Sequence, residues 1–341
     1  MNILLTSVGR RSYLAEYFKA ALGSGGEVHV SNSTDVSPAF MFADRCVVTP
    51  LIYDKEYIPF LLNYCRENKI DGVIPLFDIN VPVLSRHKES FEKNGTRVIA
   101  ADAETAAVCN DKYRAYKWLK ERGFDVPKTY LSAEEFNEDI KNKAVSYPAI
   151  VKPRWGMGSL GVYRADNEEE LKVFHNKALS QIKETYLKYE SAADISSAVI
   201  IQEMLTGREY GLDIINDLNG RHINTVVKEK RAMRSGETDC AVTVNNIELK
   251  KLGARLAAQT KHCADMDADV FESEGRYYIL DMNARFGGGY PFSHAAGKDL
   301  PKAIVSWLGG GDGAAFVRGE RFSVLSHKDI RIVRLSKGAD K

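Results

Sequence analysis

Two carboxylates and an amide are spaced along Asp269-Val270-Phe271-Glu272-Ser273-Glu274-Gly275-Arg276-Tyr277-Tyr278-Ile279-Leu280-Asp281-Met282-Asn283 as a hard cation would require. Glu274-Gly275 is a turn signal between two runs of strand formers, so the segment reads as a β-hairpin. Side chains alternate across a strand, which puts Asp281 and Asn283 on one face, where Asp269 of the partner strand can meet them. This all-oxygen, net-negative set suits Mg²⁺ bridging phosphates and suits zinc poorly. Arg285 follows at the same two-residue period, and a guanidinium beside a metal is a fork for an oxyanion. A solvated hairpin that binds nothing is the alternative.

A second set surrounds Gly156-Met157-Gly158-Ser159-Leu160-Gly161. The pattern is literally G-x-G-x-x-G, but strand-like residues follow it where a dinucleotide site needs a helix. A protein-kinase loop fails as well, since the lysine precedes the glycines and no H-R-D or D-F-G occurs. No G-x-x-x-x-G-K-[ST] is present. What survives is a glycine hairpin whose backbone N–H groups can lie against phosphate oxygens, with a purely structural turn as the alternative. Lys152 ends the apolar run before it, where an unpaired ammonium would be costly.

These residues need elements to hold them. Short β-branched runs alternate with helical patterns over residues 1 to about 108, which predicts a Rossmann-like parallel sheet with helices on both faces. The turn after its first strand, Ser7-Val8-Gly9-Arg10-Arg11, carries one glycine where a dinucleotide fingerprint needs three, so NAD or FAD is not expected there. Asp111-Lys112 opens a helix ending at Gly123, and Ser132-Ala133-Glu134-Glu135 is a capping box. Ala149–Lys152 and Val162–Arg164 read as strands of a flap, followed by a long helix from Glu168 to about Tyr189. Val199–Met204, Tyr210–Asn216, His222–Lys228, Asp269–Phe271 and Tyr277–Met282 read as an antiparallel sheet interrupted by a helix from about Ile247 to Ala264. The expected division is an N-terminal unit at 1–108, linker helices and flap at 109–205, and a catalytic part with a C-terminal extension at 206–341. Arg231 to Thr238, with Arg231, Arg234 and Glu237, reads either as a disordered loop or as a substrate-binding loop.

The 341 residues imply about two domains at roughly 150 residues each. Forty-seven Lys and Arg against 46 Asp and Glu leave a net charge of +1, which provides no field for nucleic acid or an anionic membrane. No stretch approaches the 18 or so apolar residues of a membrane span. Cys46, Cys65, Cys109, Cys240 and Cys263 are odd in number and form no C-x-x-C pair, which fits reduced thiols and a cytoplasmic location.

In this order, Lys112, Lys152-Pro153 with the glycine loop, Gln202-Glu203-Met204-Leu205, Asp269 and Asp281-Met282-Asn283-Ala284-Arg285 resemble the ATP-grasp superfamily. More narrowly, the chain resembles ligases similar to the carbamoyl phosphate synthetase large subunit, over nearly its whole length. The resemblance implies a Rossmann-like domain followed by an ATP-grasp fold with a flap and an antiparallel catalytic sheet. It also implies that Lys112 and Lys152 contact ATP phosphates beneath the closing loop of Gly156, Gly158, Ser159 and Gly161. Gln202, Glu203, Met204 and Leu205 would hold the adenine and ribose, Lys228 would be a further phosphate contact, and Asp269, Asp281 and Asn283 would ligate Mg²⁺, with Mn²⁺ as the alternative ion. Arg285 would steady an acyl phosphate, aided by the backbone of Gly287 to Gly289, with Arg234 and His294 as candidate substrate contacts. Position 281 is usually Glu in this family, and Asp is one methylene shorter. The expected chemistry joins a small-molecule carboxylate to an amine with release of ADP and phosphate, in a protein for which a homodimer is one option. A kinase acting on a small carboxylate and an ATP-binding regulatory protein are the rivals.

Overall fold

The computed structural model describes residues 1–319 and 321–335. The expected third segment, 206–341, includes Glu320 and residues 336–341, which lie outside the described residues. The fold is α/β, with three sheets in chain order.

Strands β1 (Asn2–Thr6), β2 (Glu27–Asn32), β3 (Arg45–Val48), β4 (Ile70–Pro75) and β5 (Arg97–Val98) form a parallel sheet in the order β3-β2-β1-β4-β5. Ile3, Leu4 and Leu5 are fully buried because helices cover both faces, and a strand covered on both sides reads as a continuous apolar run. The strand order reverses at β1. The loops after β1 and β4 therefore part to opposite faces and leave a crevice at their carboxyl ends, the usual place for a ligand in such a sheet.

Strands β6 (Thr129–Tyr130), β7 (Ala149–Pro153), β8 (Tyr163–Ala165) and β9 (Val199–Glu203) make an antiparallel flap sheet in the order β6-β9-β7-β8. The Ser132 hydroxyl caps helix Ala133–Lys141 by accepting from the Glu135 amide. Strands β10 (Arg208–Asn216), β11 (His222–Arg234), β12 (Glu237–Thr243), β13 (Ala264–Ser273), β14 (Arg276–Asn283) and β15 (Leu325–His327) form the large antiparallel sheet, ordered β14-β13-β10-β11-β12-β15. Leu249, Leu256 and Ala257 of helix Ile247–Thr260 pack on its rear with Leu212, Ile214 and Met266. On the other face Ile215, Val226 and Ala264 pack into the core shared with the parallel sheet, and polar side chains such as Lys228, Lys230, Asp267 and Asp269 line a cleft.

The structure revises several sequence-level readings. Val199–Met204 contributes its strand to the flap sheet rather than to the large one. The long helix ends at Glu184, where Thr185 turns extended and its hydroxyl donates to the Gln181 carbonyl; a short helix, Leu187–Ser191, follows. The helical stretch after β4 breaks at His87 into Asn80–Arg86 and Lys88–Glu92. The helix on the rear of the large sheet stops at Thr260, because Lys261 is left-handed, and β13 begins at Ala264. Arg231 to Thr238 is an ordered hairpin: β11 and β12 run to either side of Ser235-Gly236, with Arg234 paired to Glu237 in register.

Gly253 shows how tightly that helix sits. A Cβ there would lie 2.4 Å from Thr225 Oγ1 on β11. Alanine normally stabilises a helix interior by about 1 kcal/mol over glycine, whereas overpacking costs about 1–3 kcal/mol. Gly253→Ala should therefore lower stability by about 1–2 kcal/mol in urea unfolding; a gain would show that the helix moves freely on the sheet.

Candidate functional site

A cleft of about 760 Å³ runs between the flap, the polar face of the large sheet and the crevice of the parallel sheet. Its walls include Lys112, Lys152, Gly156, Gly158, Ser159, Gln202, Glu203, Met204, Leu205, Lys228, Asp269, Asp281, Asn283 and Arg285, together with the 7–11 loop and Asp78. Among the candidates of the sequence, Gly161, Arg231, Arg234, Gly287 and His294 do not line it.

Lys112 and Lys152 are brought together by one clamp. Asp111 caps helix Lys112–Glu121 by accepting from the Tyr113 and Arg114 amides, and its two carboxylate oxygens receive Arg154 in a fork, both bonds 2.7 Å. The Lys112 amide donates to the Arg154 carbonyl, so the helix start is tied two residues past Lys152. Lys112 Nζ then lies 2.7 Å from Asp281. Lys152 Nζ donates to Gln202 Oε1 at 2.8 Å, and the Gln202 amide donates in turn to Thr129. Burial, with Lys112 nearby, lowers Lys152 to about 8. Glu203 is fixed to Lys128 through its amide and its carboxylate, which leaves Met204 and Leu205 at the end of β9 facing the cleft.

Over the lysines, the glycine loop bends through left-handed Gly158, Ser159 and Gly161. Its tip rests on the β11–β12 turn so closely that a Cβ on Gly236 would fall 2.0 Å from Ser159 Oγ.

On the large sheet, Asp269 stands opposite Asp281, and Asp267 opposite Asn283, with a register shift just past Asp269. Lys230 bridges Glu209 and Asp269, each at 2.6 Å, and these carboxylates hold its pKa up against the effect of burial. Asp267 is pushed upward by burial and by Asp269. Among the described residues no three His, Cys, Asp or Glu side chains are arranged to hold a metal by themselves. The set instead fits an ion that takes one or two carboxylates and completes its shell with water and phosphate oxygens, as Mg²⁺ does. Asp269, Asp281 and Asn283 would supply the protein oxygens, once Lys112 and Lys230 move off the carboxylates.

Arg285 is nearly buried and lies between two units: 2.8 Å from Asp78, after β4, and 3.2 Å from Asp267 on β13. The two acids keep it charged despite burial. Lys228 is committed to the sheet interior, 2.6 Å from the fully buried Asp213 and 3.4 Å from the Gly289 carbonyl, so it is less free for a phosphate than Lys152. Arg234 is half-exposed on Asp239 at 2.6 Å. His294 stacks on Tyr17, with ring centroids 3.7 Å apart, away from the cleft lining. The Gly287 amide is taken by Asp265, and a Cβ there would meet Asp267 Oδ1 at 2.4 Å; Gly288 and Gly289 remain on the cleft wall.

Sequence reasoning misses Asp78, Asp267, Glu209 and Lys230. Two of these left a signal: Asp265, Asp267 and Asp269 recur every second residue, as do Lys228 and Lys230, the mark of one strand face. Asp78 and Glu209 left none.

With its pKa near 8, Lys152 gains a proton when a polyphosphate binds against it. Affinity should then be greatest below pH 8 and fall by roughly three- to tenfold between pH 7.5 and 9, as the proton must be acquired on binding. Calorimetric titration of Mg-ADP across this range checks it; Lys152→Gln should bind weakly with no such pH dependence.

A family model described as an ATP-grasp domain matches residues 109–289, and one described as a PylC-like N-terminal domain matches residues 3–99. The carbamoyl phosphate synthase large chain of Pseudothermotoga lettingae is 22% identical over 289 residues, covering 82% of this chain and 24% of that protein. The D-alanine–D-alanine ligase of Thermotoga petrophila is 26% identical over 203 residues, 55% of this chain and 61% of that one. This chain thus spans about a quarter of the length of the synthase large chains it matches. Among solved structures, a biotin carboxylase complex with β,γ-ATP from Campylobacter jejuni aligns with a TM-score of 0.69 at 16% identity, covering 91% of this chain and 71% of the other. An N5-carboxyaminoimidazole synthetase from Staphylococcus aureus with ADP aligns with a TM-score of 0.69 at 14% identity, covering 96% and 79%. With more than half its length matched by the domain model and its cleft built between flap and sheet, the chain belongs to the ATP-grasp family.

Proposed function

We propose that the protein is an ATP-dependent ligase that activates a small-molecule carboxylate as an acyl phosphate and joins it to an amine, releasing ADP and phosphate. The observation that carries this reading is the meeting, on one cleft, of Lys112 and Lys152 beneath the glycine loop with Asp269, Asp281, Asn283 and Arg285 on the large sheet. Residues 1–108, 109–205 and 206–341 would be its three parts.

In this reading Met204 and Leu205 hold the base. Lys112 and Lys152 offset phosphate charge, and Lys228 supports the wall behind them. Phosphoryl transfer needs positioning and charge neutralisation more than covalent help from protein. A Mg²⁺ ion on Asp269, Asp281 and Asn283 would supply charge screening at the phosphates, and Mn²⁺ fits the same oxygen donors. The glycine loop, seated on Gly236, keeps water from the acyl phosphate. Arg285 forks toward the carboxylate oxygen and the transferring group, and gains most as charge moves between them. The amine nitrogen then attacks the acyl carbon, the bond from that carbon to the phosphate oxygen breaks, and the departing phosphate takes up the proton the nitrogen sheds. All these groups come from one chain, so a homodimer would not be needed to complete the cleft. A cytoplasmic location, where thiols stay reduced, belongs to the same proposal.

The test is ADP and phosphate release over a matrix of carboxylates and amines with Mg²⁺. Release that needs both an acid and an amine, and stops with EDTA, is expected; ATP binding without turnover for any pair would favour a regulatory protein. Arg285→Lys keeps the charge but cannot span Asp78 and Asp267 as a fork. Its kcat should fall about 100-fold or more, with ATP affinity changed less than roughly threefold. Equal losses in both would make Arg285 an ATP clamp.

A further inference from the structure

The cations of the cleft are not equally provided for. Lys112, Lys228, Lys230 and Arg285 each rest on a carboxylate, and Lys152 rests on Gln202 beside the glycine loop. Among the described residues Arg10, which is exposed, and Arg11, on the loop after β1, form no ion pair with a carboxylate. Among the described residues the Arg10 side chain makes no hydrogen bond or ion pair, and the Arg11 guanidinium donates to the Phe286 carbonyl at 2.5 Å. Arg285 donates to that same carbonyl at 3.2 Å, and its buried Nε has no acceptor. The acids nearby are shared: Asp78 and Asp267 attract Arg11 from a distance and offset part of its burial, but their ion pairs are with Arg285, and Glu237 pairs with Lys328.

Local structure makes this concentration of charge more costly. Arg11 is the N-cap of helix Ser12–Leu22, with no side-chain cap bond and no acid in the first turn, so two arginines precede the positive end of a helix that supplies them no counter-charge. Folding alone would favour Ser, Asp or Asn at that place. The loop also sits at the crevice between β1 and β4, where the strand order of the parallel sheet reverses, and both arginines line the cleft.

We propose that Arg10 and Arg11 seat a standing anionic group of the substrate, a second carboxylate or a phosphate ester, distinct from the carboxylate that reacts beside Arg285. The proposal rests on the ligase reading for which group reacts. Arg285, already balanced by Asp78 and Asp267, is suited to charge that shifts during the reaction. The unbalanced pair is suited to charge that stays. It also offsets the repulsion an anionic substrate would meet from Asp267, Asp269 and Asp281. The substrate class is therefore a dianion, read at one end by the large sheet and at the other by the N-terminal unit.

Two measurements test this, one without turnover. In protein labelled with ¹⁵N-arginine and loaded with Mg-ADP, the Nε–H signals of Arg10 and Arg11, assigned with Arg10→Gln and Arg11→Gln, are followed against succinate, glycerol 3-phosphate and butyrate. A saturating shift with either dianion but not with butyrate is expected. Succinate alone would identify a second carboxylate, glycerol 3-phosphate alone a phosphate ester. No shift, or equal shifts with all three, overturns the proposal while leaving the ligase reading in place. In the ADP-release matrix, the acids turned over should carry a second anionic group. For the best of them Arg10→Gln should raise KM about tenfold or more, with kcat and the KM for ATP within about threefold and partial recovery in Arg10→Lys. A preference for acids with uncharged tails, or an unchanged KM, overturns it. Saturating shifts without turnover would instead retain the anion seat and reject the ligase reading.

Discussion

The cleft depends on one buried cation. Arg285 follows β14, and its guanidinium reaches Asp267 of the large sheet and Asp78 of the parallel sheet, a polar tie that adds to the shared core in which Ile3, Leu5 and Ile74 pack with Ile215, Val226 and Ala264. Such a triad is stable only while both acids remain: removing one partner of a buried ion pair typically costs about 3–5 kcal/mol because the charge left behind has no solvent. Arg11, sharing the Phe286 carbonyl, ties the same segment to the loop after β1. Gly287 must then be a glycine, since Asp267 occupies the place of its side chain.

A second theme is that the polar groups of the cleft satisfy one another at rest. Lys112 sits on Asp281, Lys230 on Asp269 and Glu209, Lys152 on Gln202. These contacts keep buried charges from being orphaned when the cleft holds only solvent. They also mean that a metal–polyphosphate ligand exchanges one set of ion pairs for another: cations move to phosphate and carboxylates to metal. Affinity is then a difference between two well-compensated states, which fits a site that must release its product.

Much of this was legible in the sequence because strand period and cap chemistry are local. The Asp281/Asn283 alternation, the Glu274-Gly275 turn, the Asp111 cap and the Ser132 cap are short-range signals, and each sits in the element expected of it. What failed was reading polarity as exposure. Asp265, Asp267 and Asp269 made the start of β13 look unlike a strand, although Asp267 and Asp269 line the cleft and Asp265 is buried against the Gly287 amide; Arg231 to Thr238 looked like a loop because both ends of its hairpin are charged. Asp78 is beyond such reasoning: it lies 207 positions from Arg285 in the chain, and only the docking of two sheets makes them neighbours.

That separation bears on how the chain is made. The parallel sheet has all its strands by residue 98, early enough to pair while later residues are still being synthesised. Its crevice, however, acquires its counter-charge only when Arg285 and Phe286 arrive, 207 residues after Asp78 and 275 after Arg11. Until then the nascent unit presents an arginine pair and a lone aspartate at an unfinished edge, and loop closure over such distances is slow relative to local pairing. The segment around residue 286 is thus a late one at which the parallel sheet and the large sheet meet, and errors in folding there fall on both at once.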